Sequence, residues 1–240
     1  MSLLTRFQLY RHAARLRRAG LKLATLAQVR HRCCLCIELP ASLGSARITA
    51  INGPEQPLRI GAHSYVRSGS LNMVGRIGRF CSIGQNVSLG EDPRAHPTDW
   101  ASTSPALIHG YVSPFQEPEH YANIGHDVWV GHGAVVMAGV TVATGAIIGG
   151  NAMVTRDVPP YHIAAGNPAR VVGMRFPEEA AADLLASLWW ELPYVALCTL
   201  QRRDPIAFAA AARSLLAAAS PAEYPTATLY QRRVVSISGV

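Results

Sequence analysis

Charge is scarce in this chain. Only 15% of its 240 residues are Asp, Glu, Lys or Arg, where a soluble domain carries about a quarter, and between Asp127 and Arg156 no formal charge occurs for 28 residues. That run exceeds the ~20 residues a helix needs to cross a bilayer, so its nature is the first question the sequence poses. Cysteine, at five, is too sparse for a disulfide scaffold. The 20 glycines follow no three-residue period, which excludes collagen, and 49% apolar content excludes disorder. The length suits one domain, alone or with an appendage.

Acidic residues are missing from the first 37 positions, while Arg6, Arg11, Arg15, Arg17, Arg18, Lys22, Arg30 and Arg32 fall there. The net charge of +7 is concentrated in that segment, since the rest carries 14 basic against 15 acidic residues. Leu3, Leu4, Phe7, Leu16, Leu21, Leu23 and Leu26 interleave with the basic positions. Such a segment suits a membrane surface, nucleic acid or a partner protein, or a helix packed on the domain with its Arg face in water. No recognised nucleic-acid motif supports the second option. Arg residues interrupt any secretory apolar core, so cytoplasm is the expected compartment. Cys33, Cys34 and Cys36, with Cys81 and Cys198, form no paired zinc spacing and leave an odd count; they are expected to be reduced packing residues.

What is present is a period of six. Aliphatic residues recur at Ile124, Val130, Val136, Val142, Ile148 and Val154, each followed four positions later by Val128, Ala134, Val140, Ala146, Ala152 and Val158. Neither a 3.6-residue nor a two-residue period fits them. Earlier hexads agree at Ile60, Val66, Ile77, Ile83 and Leu89, with Ser64, Cys81 and Val87 as small inward partners and one irregular turn between Val66 and Ile77. Gly125, Gly131 and Gly149 each follow an aliphatic position, which suits a backbone that turns sharply. Three hexads to a coil describe an all-β solenoid, the left-handed parallel β-helix, whose coils stack ~4.8 Å apart. A membrane helix has no reason for this period, and six glycines with several threonines are foreign to one span. The missing charge is then a consequence of burial in a parallel sheet.

The hexads stop between Leu89 and Ile124, where five prolines oppose strand pairing and three of the nine His occur. An irregular stretch of that length is expected to be a functional loop. After Asn167-Pro168 the pattern ends. Pro177-Glu178-Glu179 opens a helix running toward Trp189-Trp190, and Asp204-Pro205 caps an Ala-rich helix to about Ala219. The expected organisation is a basic helical or irregular segment over 1–57, a β-helix over 58–173 with an extended loop at 90–123, and a helical extension over 174–240 flanking the solenoid.

The stretch Ile124-Gly125-His126-Asp127-Val128-Trp129-Val130-Gly131, continuing through Thr155-Arg156-Asp157-Val158-Pro159-Pro160 to Ala165-Gly166-Asn167-Pro168-Ala169-Arg170-Val171, resembles the hexapeptide-repeat acyltransferases that use acetyl-CoA. In the loop, His96-Pro97-Thr98-Asp99 and Ser102-Thr103-Ser104-Pro105 resemble the saccharide O-acetyltransferases. The long loop and the Trp189-Trp190 pair are similar to the xenobiotic acetyltransferases. The resemblance covers roughly residues 58 to 193.

This resemblance implies a homotrimer in which the loop reaches a neighbouring subunit and a loop histidine, matched by His96, takes the proton of an acceptor hydroxyl. An imidazole with a pKa near 6.5 suits that role, because an alcohol is a poor nucleophile at neutral pH. His109 and His120 share the loop and are the first alternatives, and Asp92 and Asp99 are the carboxylates available to orient the ring. The resemblance lays acetyl-CoA along a groove touching His132 and Gly150, then Thr155, Arg156 and Arg170. Here His132 replaces a frequent small Ser, and Arg156 a frequent Lys. Arg suits phosphate because its donor fork pairs with two oxygens. Trp129 faces outward by hexad phase.

The implied activity is transfer of acetyl to a hydroxyl of a sugar or glycan precursor, by direct attack because no nucleophilic Cys or Ser–His pair is suggested. The alternative acceptor is an antibiotic or small metabolite. His126 and His132, one hexad apart, also raise a metal-dependent carbonic anhydrase of the same fold, although two His do not complete a zinc site and no metal ligand is assigned. A non-catalytic assembly module recruited by the basic N-terminus is the remaining reading.

Overall fold

The computed structural model describes residues 3–49, 52–218 and 220–239, and the side chains of residues 3–8, Gln116 and Pro118 lie outside the described set. Three parallel sheets form the faces of a solenoid of about seven turns. The first face runs from Leu21–Leu23 through Ala41–Gly44, Tyr65–Val66, Ser82–Ile83, Trp129–Val130 and Ile147–Ile148 to His162–Gly166, and ends on the antiparallel strand Ala169–Met174. The second contains Arg47–Ile48, Gly69–Leu71, Val87–Glu91, Val135–Met137 and Met153–Val154. The third contains Cys34–Glu38, Leu58–Ile60, Val74–Ile77, Ala122–Ile124 and Thr141–Val142.

The six-residue period becomes three vertical columns. Val66, Ile83, Val130 and Ile148 are register partners on the first face. Ile48, Leu71, Leu89, Val136 and Val154 are partners on the second, and Ile37, Ile60, Ile77, Ile124 and Val142 on the third. All are at most 2% exposed. Each fully buried aliphatic side chain is worth about 1.5–3 kcal/mol relative to exposure. The uncharged run from 128 to 155 supplies Val130, Val136, Val142, Ile148 and Val154 to these columns, and no helix among the described residues is long and apolar enough to cross a membrane.

The expected boundary at residue 58 is corrected. The solenoid starts at Leu21, and residues 21–48 contribute four of its strands. The period is already present at Ile37 and Leu43 but slips to five residues at Ile48, and it slips again between Val66 and Leu71, which is the irregular turn seen in the sequence. At the second slip Gly69 has φ +119°, and a Cβ there would collide with the Val87 carbonyl oxygen. A shortened corner brings the backbones of successive coils into contact, and only glycine fits.

Helix α1 (Leu3–Arg18) covers the first coil: Ala13 and Leu16 are buried while Arg11, Arg15, Arg17 and Arg18 face outward. This is the packed arrangement with its Arg face in water. The Leu3, Leu4, Arg6 and Phe7 side chains of the basic segment lie outside the described residues. The last residues, expected only as part of a helical extension, instead form a hairpin, Thr226–Tyr230 with Arg233–Ser238, which pairs antiparallel with Cys34–Glu38 and extends the third face.

Three helices lie on the flank: α2 (Glu178–Ala186), α3 (Tyr194–Thr199) and α4 (Pro205–Ala218). Asp204 Oδ1 caps α4 by accepting from Ile206 and Ala207 N–H at 3.1 and 3.0 Å. Ala219, the expected end of that helix, lies outside the described residues. Tyr161, Leu184, Leu192, Leu197 and Phe208 form a second core between helices and solenoid.

Gly69→Ala should lower stability by about 2–4 kcal/mol in urea unfolding. Gly173→Ala, where an added Cβ meets nothing within 4 Å, should change it by less than ~0.5 kcal/mol. Equal losses would contradict the tight corner at Gly69.

Candidate functional site

The long loop leaves after Val87–Glu91 on the second face and returns at Ala122–Ile124 on the third, so it grows from the corner between them. An insertion at a corner interrupts no ladder. Met73, Tyr121 and Ala138, with Phe115 against them, form its foot, and Ala138 N–H donates to the Glu91 carbonyl at 2.8 Å. Farther out, the Tyr111 hydroxyl donates to the Arg94 carbonyl at 2.8 Å and the Trp100 and Tyr111 rings meet edge-on at 5.7 Å. These side chains help enclose a cavity of about 610 Å³, lined also by Thr98, Asp99, Gly110, Val112 and Pro114.

His96 is exposed on this loop, with Nδ1 2.7 Å from the Thr103 carbonyl oxygen. A carbonyl can only accept, so Nδ1 carries the proton and donates, and the neutral ring keeps its lone pair on Nε2. Neither expected carboxylate holds the ring: Asp92 Oδ1 accepts from Arg94 N–H at 2.8 Å instead. The orienting group is a backbone oxygen, which no side-chain pattern in the sequence can announce. His109 is exposed, whereas His120 packs on Phe115 at 5.1 Å with its Nδ1 buried and unpaired.

The positions expected to hold a cofactor are all exposed but separate into groups. His132 and Gly150 lie one coil apart at the corner between first and second faces, where Asn151 N–H donates to the His132 carbonyl at 2.8 Å. A Cβ on Gly131 would sit 2.6 Å from Gly150 N, so the glycine there serves a close coil-to-coil approach. Thr155 and Arg156 lie beyond the strand Met153–Val154, at the corner from which, two coils earlier, the loop departs. Arg170 is in the antiparallel strand Ala169–Met174 that ends the first face, its Nη1 donating to the Ala169 carbonyl at 2.9 Å. Among the described residues no hydrogen bond joins His96 to any of them.

The remaining corner, between third and first faces, carries a polar cluster that the sequence did not signal. Arg79 pairs with both oxygens of Glu38 at 2.7 and 2.8 Å, reaches Glu191 Oε2 at 2.6 Å, and lies 4.9 Å from the Tyr224 ring centroid. It therefore ties the first coil's third-face strand to the C-terminal segment. Burial alone would raise the Glu38 pKa, but the Arg79 hydrogen bonds and the Ala62 N–H outweigh it and hold the carboxyl below its ordinary value. Burial raises Asp127, although Arg175 pairs with it at 2.9 Å. His126 is 8% exposed and stacks on Trp190 at 4.9 Å; burial first, then Arg76 and Arg79, push it down to about 4. His126 and His132 thus occupy different corners. Among the described residues no group of three or more His, Cys, Asp or Glu is placed to hold a metal ion.

A parallel β-helix built on six-residue repeats, with a loop histidine at one corner, defines a class that comparison with known proteins narrows. Residues 121–156 match the family described as bacterial transferase hexapeptide (six repeats). The chain is 40% identical over 124 residues to a chloramphenicol acetyltransferase of Agrobacterium fabrum, covering 49% of this chain and 59% of that protein. It is 37% identical over 121 residues to a probable macrolide acetyltransferase of Lysinibacillus sphaericus, covering 48% and 67%. The matched region spans about six tenths of the length of the chloramphenicol acetyltransferases. Among solved structures, a maltose O-acetyltransferase from Clostridium difficile 630 aligns with TM-score 0.42 and 19% identity, over 72% of this chain and 89% of that one. The chain belongs to the hexapeptide-repeat acyltransferase family, and its solenoid is the left-handed β-helix of that family.

A base whose folded pKa lies near 4 instead of the ordinary 6.5 favours folding while neutral. The unfolded chain binds the proton first as pH falls, so His126 should erode stability from about pH 6.5 down to 4 and no further. Thermal melts of His126→Asn should lose that portion of the acid dependence. An unchanged slope across the window would place the titration elsewhere.

Proposed function

We propose that this chain is an acetyl-CoA-dependent O-acetyltransferase with His96 as general base. The Thr103 carbonyl carries the assignment, because it holds Nδ1–H and leaves the Nε2 lone pair exposed at the loop surface. Nε2 accepts the proton of an acceptor hydroxyl as its oxygen attacks the thioester carbonyl. The new C–O bond replaces the C–S bond, and the proton passes from Nε2 to the departing thiolate. Three of the five cysteines are poor acyl-enzyme nucleophiles: burial pushes Cys33 and Cys81 to about 12, and Cys34 is raised for the same reason.

Acetyl-CoA supplies the activated acetyl group. The exposed, side-chain-free surface at Gly150 leaves space for a thin pantetheine arm beside His132, and Thr155, Arg156 and Arg170, all exposed and the two arginines without acidic partners among the described residues, are available to its phosphates. A homotrimer whose loops complete neighbouring sites, as the family resemblance implies, would bring His96 to these positions, to which it makes no hydrogen bond within one chain among the described residues.

For the acceptor, the Trp100, Tyr111 and Val112 walls of the loop cavity, beside Thr98 and Asp99, favour a hydroxyl-bearing molecule with substantial apolar surface. The relatives named for chloramphenicol and macrolide support the same class. A sugar or glycan precursor is the second reading, resting on His96-Pro97-Thr98-Asp99 and Ser102-Thr103-Ser104-Pro105.

His96→Ala should lower kcat ~100-fold or more while acetyl-CoA binding by calorimetry stays within about twofold. Retained turnover would move the base elsewhere, and parallel double-reciprocal plots would replace direct transfer with a covalent route. Arg156→Ala with Arg170→Ala should raise KM for acetyl-CoA by about tenfold or more with little change in kcat. A screen of chloramphenicol, macrolides and simple sugars decides between the acceptor classes.

A further inference from the structure

Outside the proposed acetyl-transfer site, the third face carries unanswered positive charge. Arg59 and Arg76 are register partners on adjacent rungs, both pointing outward. Like charges directly opposite one another in a sheet repel, and neither guanidinium forms a salt bridge among the described residues. Both line a cavity of about 280 Å³ whose wall also includes Cys36, Arg79, His126 and Glu191.

The polar groups of this cavity are unevenly paired. Glu38 also lines it, but both of its oxygens are taken by Arg79, and Oε2 accepts from Ala62 N–H as well. His126 receives Arg79 N–H on Nδ1 at 3.1 Å, while Arg76 Nη2 stands 2.6 Å from Nε2. A neutral imidazole accepts at one nitrogen only, so one contact must set donor against donor. The Arg79 amide is fixed by the backbone and the Arg76 side chain is free to move, which leaves Nδ1 as the acceptor and the proton on Nε2. Arg59, Arg76 and the His126 Nε2–H then bring donors to one cavity; its one carboxylate oxygen not paired with Arg79, Glu191 Oε1, makes no hydrogen bond to any of them among the described residues. Three arginines against two carboxylates leave one positive charge over.

We propose that this cavity on the third face binds a phosphate group, free or carried by a small metabolite, between Arg59 and Arg76 with His126 Nε2–H as a further donor. A tetrahedral oxyanion offers an oxygen to each guanidinium fork across one strand spacing and supplies the acceptor that both Arg76 and His126 lack. The position is separate from the corner of His132 and Gly150, and the inference stands or falls independently of acetyl transfer.

The test is titration of the full chain with inorganic phosphate and, separately, ribose 5-phosphate, at constant ionic strength against chloride. Binding is followed by calorimetry and by tryptophan fluorescence, since Trp190 stacks on His126. We expect saturable binding of at least one probe, weakened about tenfold or more in Arg59→Gln with Arg76→Gln and retained in Arg156→Ala with Arg170→Ala. The tighter probe identifies the source of the phosphate group. Cys36→Asp, which sets a carboxylate one rung from Arg59, should also weaken binding about tenfold and raise Tm in phosphate-free buffer, so the inference remains testable if the double arginine variant fails to fold. Absence of saturable binding by both probes overturns it. Loss in the Arg156/Arg170 variant with retention in the Arg59/Arg76 variant overturns it equally, because phosphate would then sit in the donor groove.

Discussion

No coil of this solenoid can bury its own inward side chains; it does so only against the coil above and the coil below. Ile83 is covered by Val66 and Val130, and Ile77 by Ile60 and Ile124. Everything else in the molecule follows from that dependence. The wall must be apolar and nearly free of charge, the backbones must approach closely at the corners, and the terminal coils must find some other cover. Helix α1 meets the last need by packing on the first coil, and the C-terminal hairpin covers the open edge of the third face, where an unpaired strand would otherwise invite another chain.

The same dependence decides where chemistry can reside. Faces are committed to ladders, so chain excursions and reactive side chains collect at the three corners. One corner carries the loop with His96 and, two coils on, Thr155 and Arg156. A second carries the glycine-rich approach at Gly131 and Gly150. The third is closed by the C-terminal helices, with Trp190 over His126 and Arg79 clasping Glu38 and Glu191. The carboxylates are about a third exposed, so removing one partner costs less than the about 3–5 kcal/mol of a fully buried pair, but the two-carboxylate clasp still fixes where the extension docks. The phosphate cavity proposed on the third face borders that clasp.

The hexad aliphatics from Ile60 to Val154 were legible because stacking repeats one requirement at a fixed interval, and a period survives any choice among Ile, Leu and Val. The same period was hidden at Ile37, Leu43 and Ile48, where single-residue slips occur at corners. The helix starting at Pro205 was legible from Asp204, whose side chain acts locally. The hairpin at Thr226–Ser238 was not, because its partner strand lies almost two hundred residues away.

By itself the sequence determined the solenoid, the exit point of the loop, the family and a short set of candidate residues, since each depends on local spacing or a contiguous motif. Tertiary structure alone decided that residues 21–48 are coils, that the Thr103 carbonyl and not Asp92 or Asp99 orients His96, and that Arg79 joins Glu38 to Glu191. Those contacts depend on which coil lies beside which and on backbone atoms that every residue shares, and neither leaves a mark in the order of side chains.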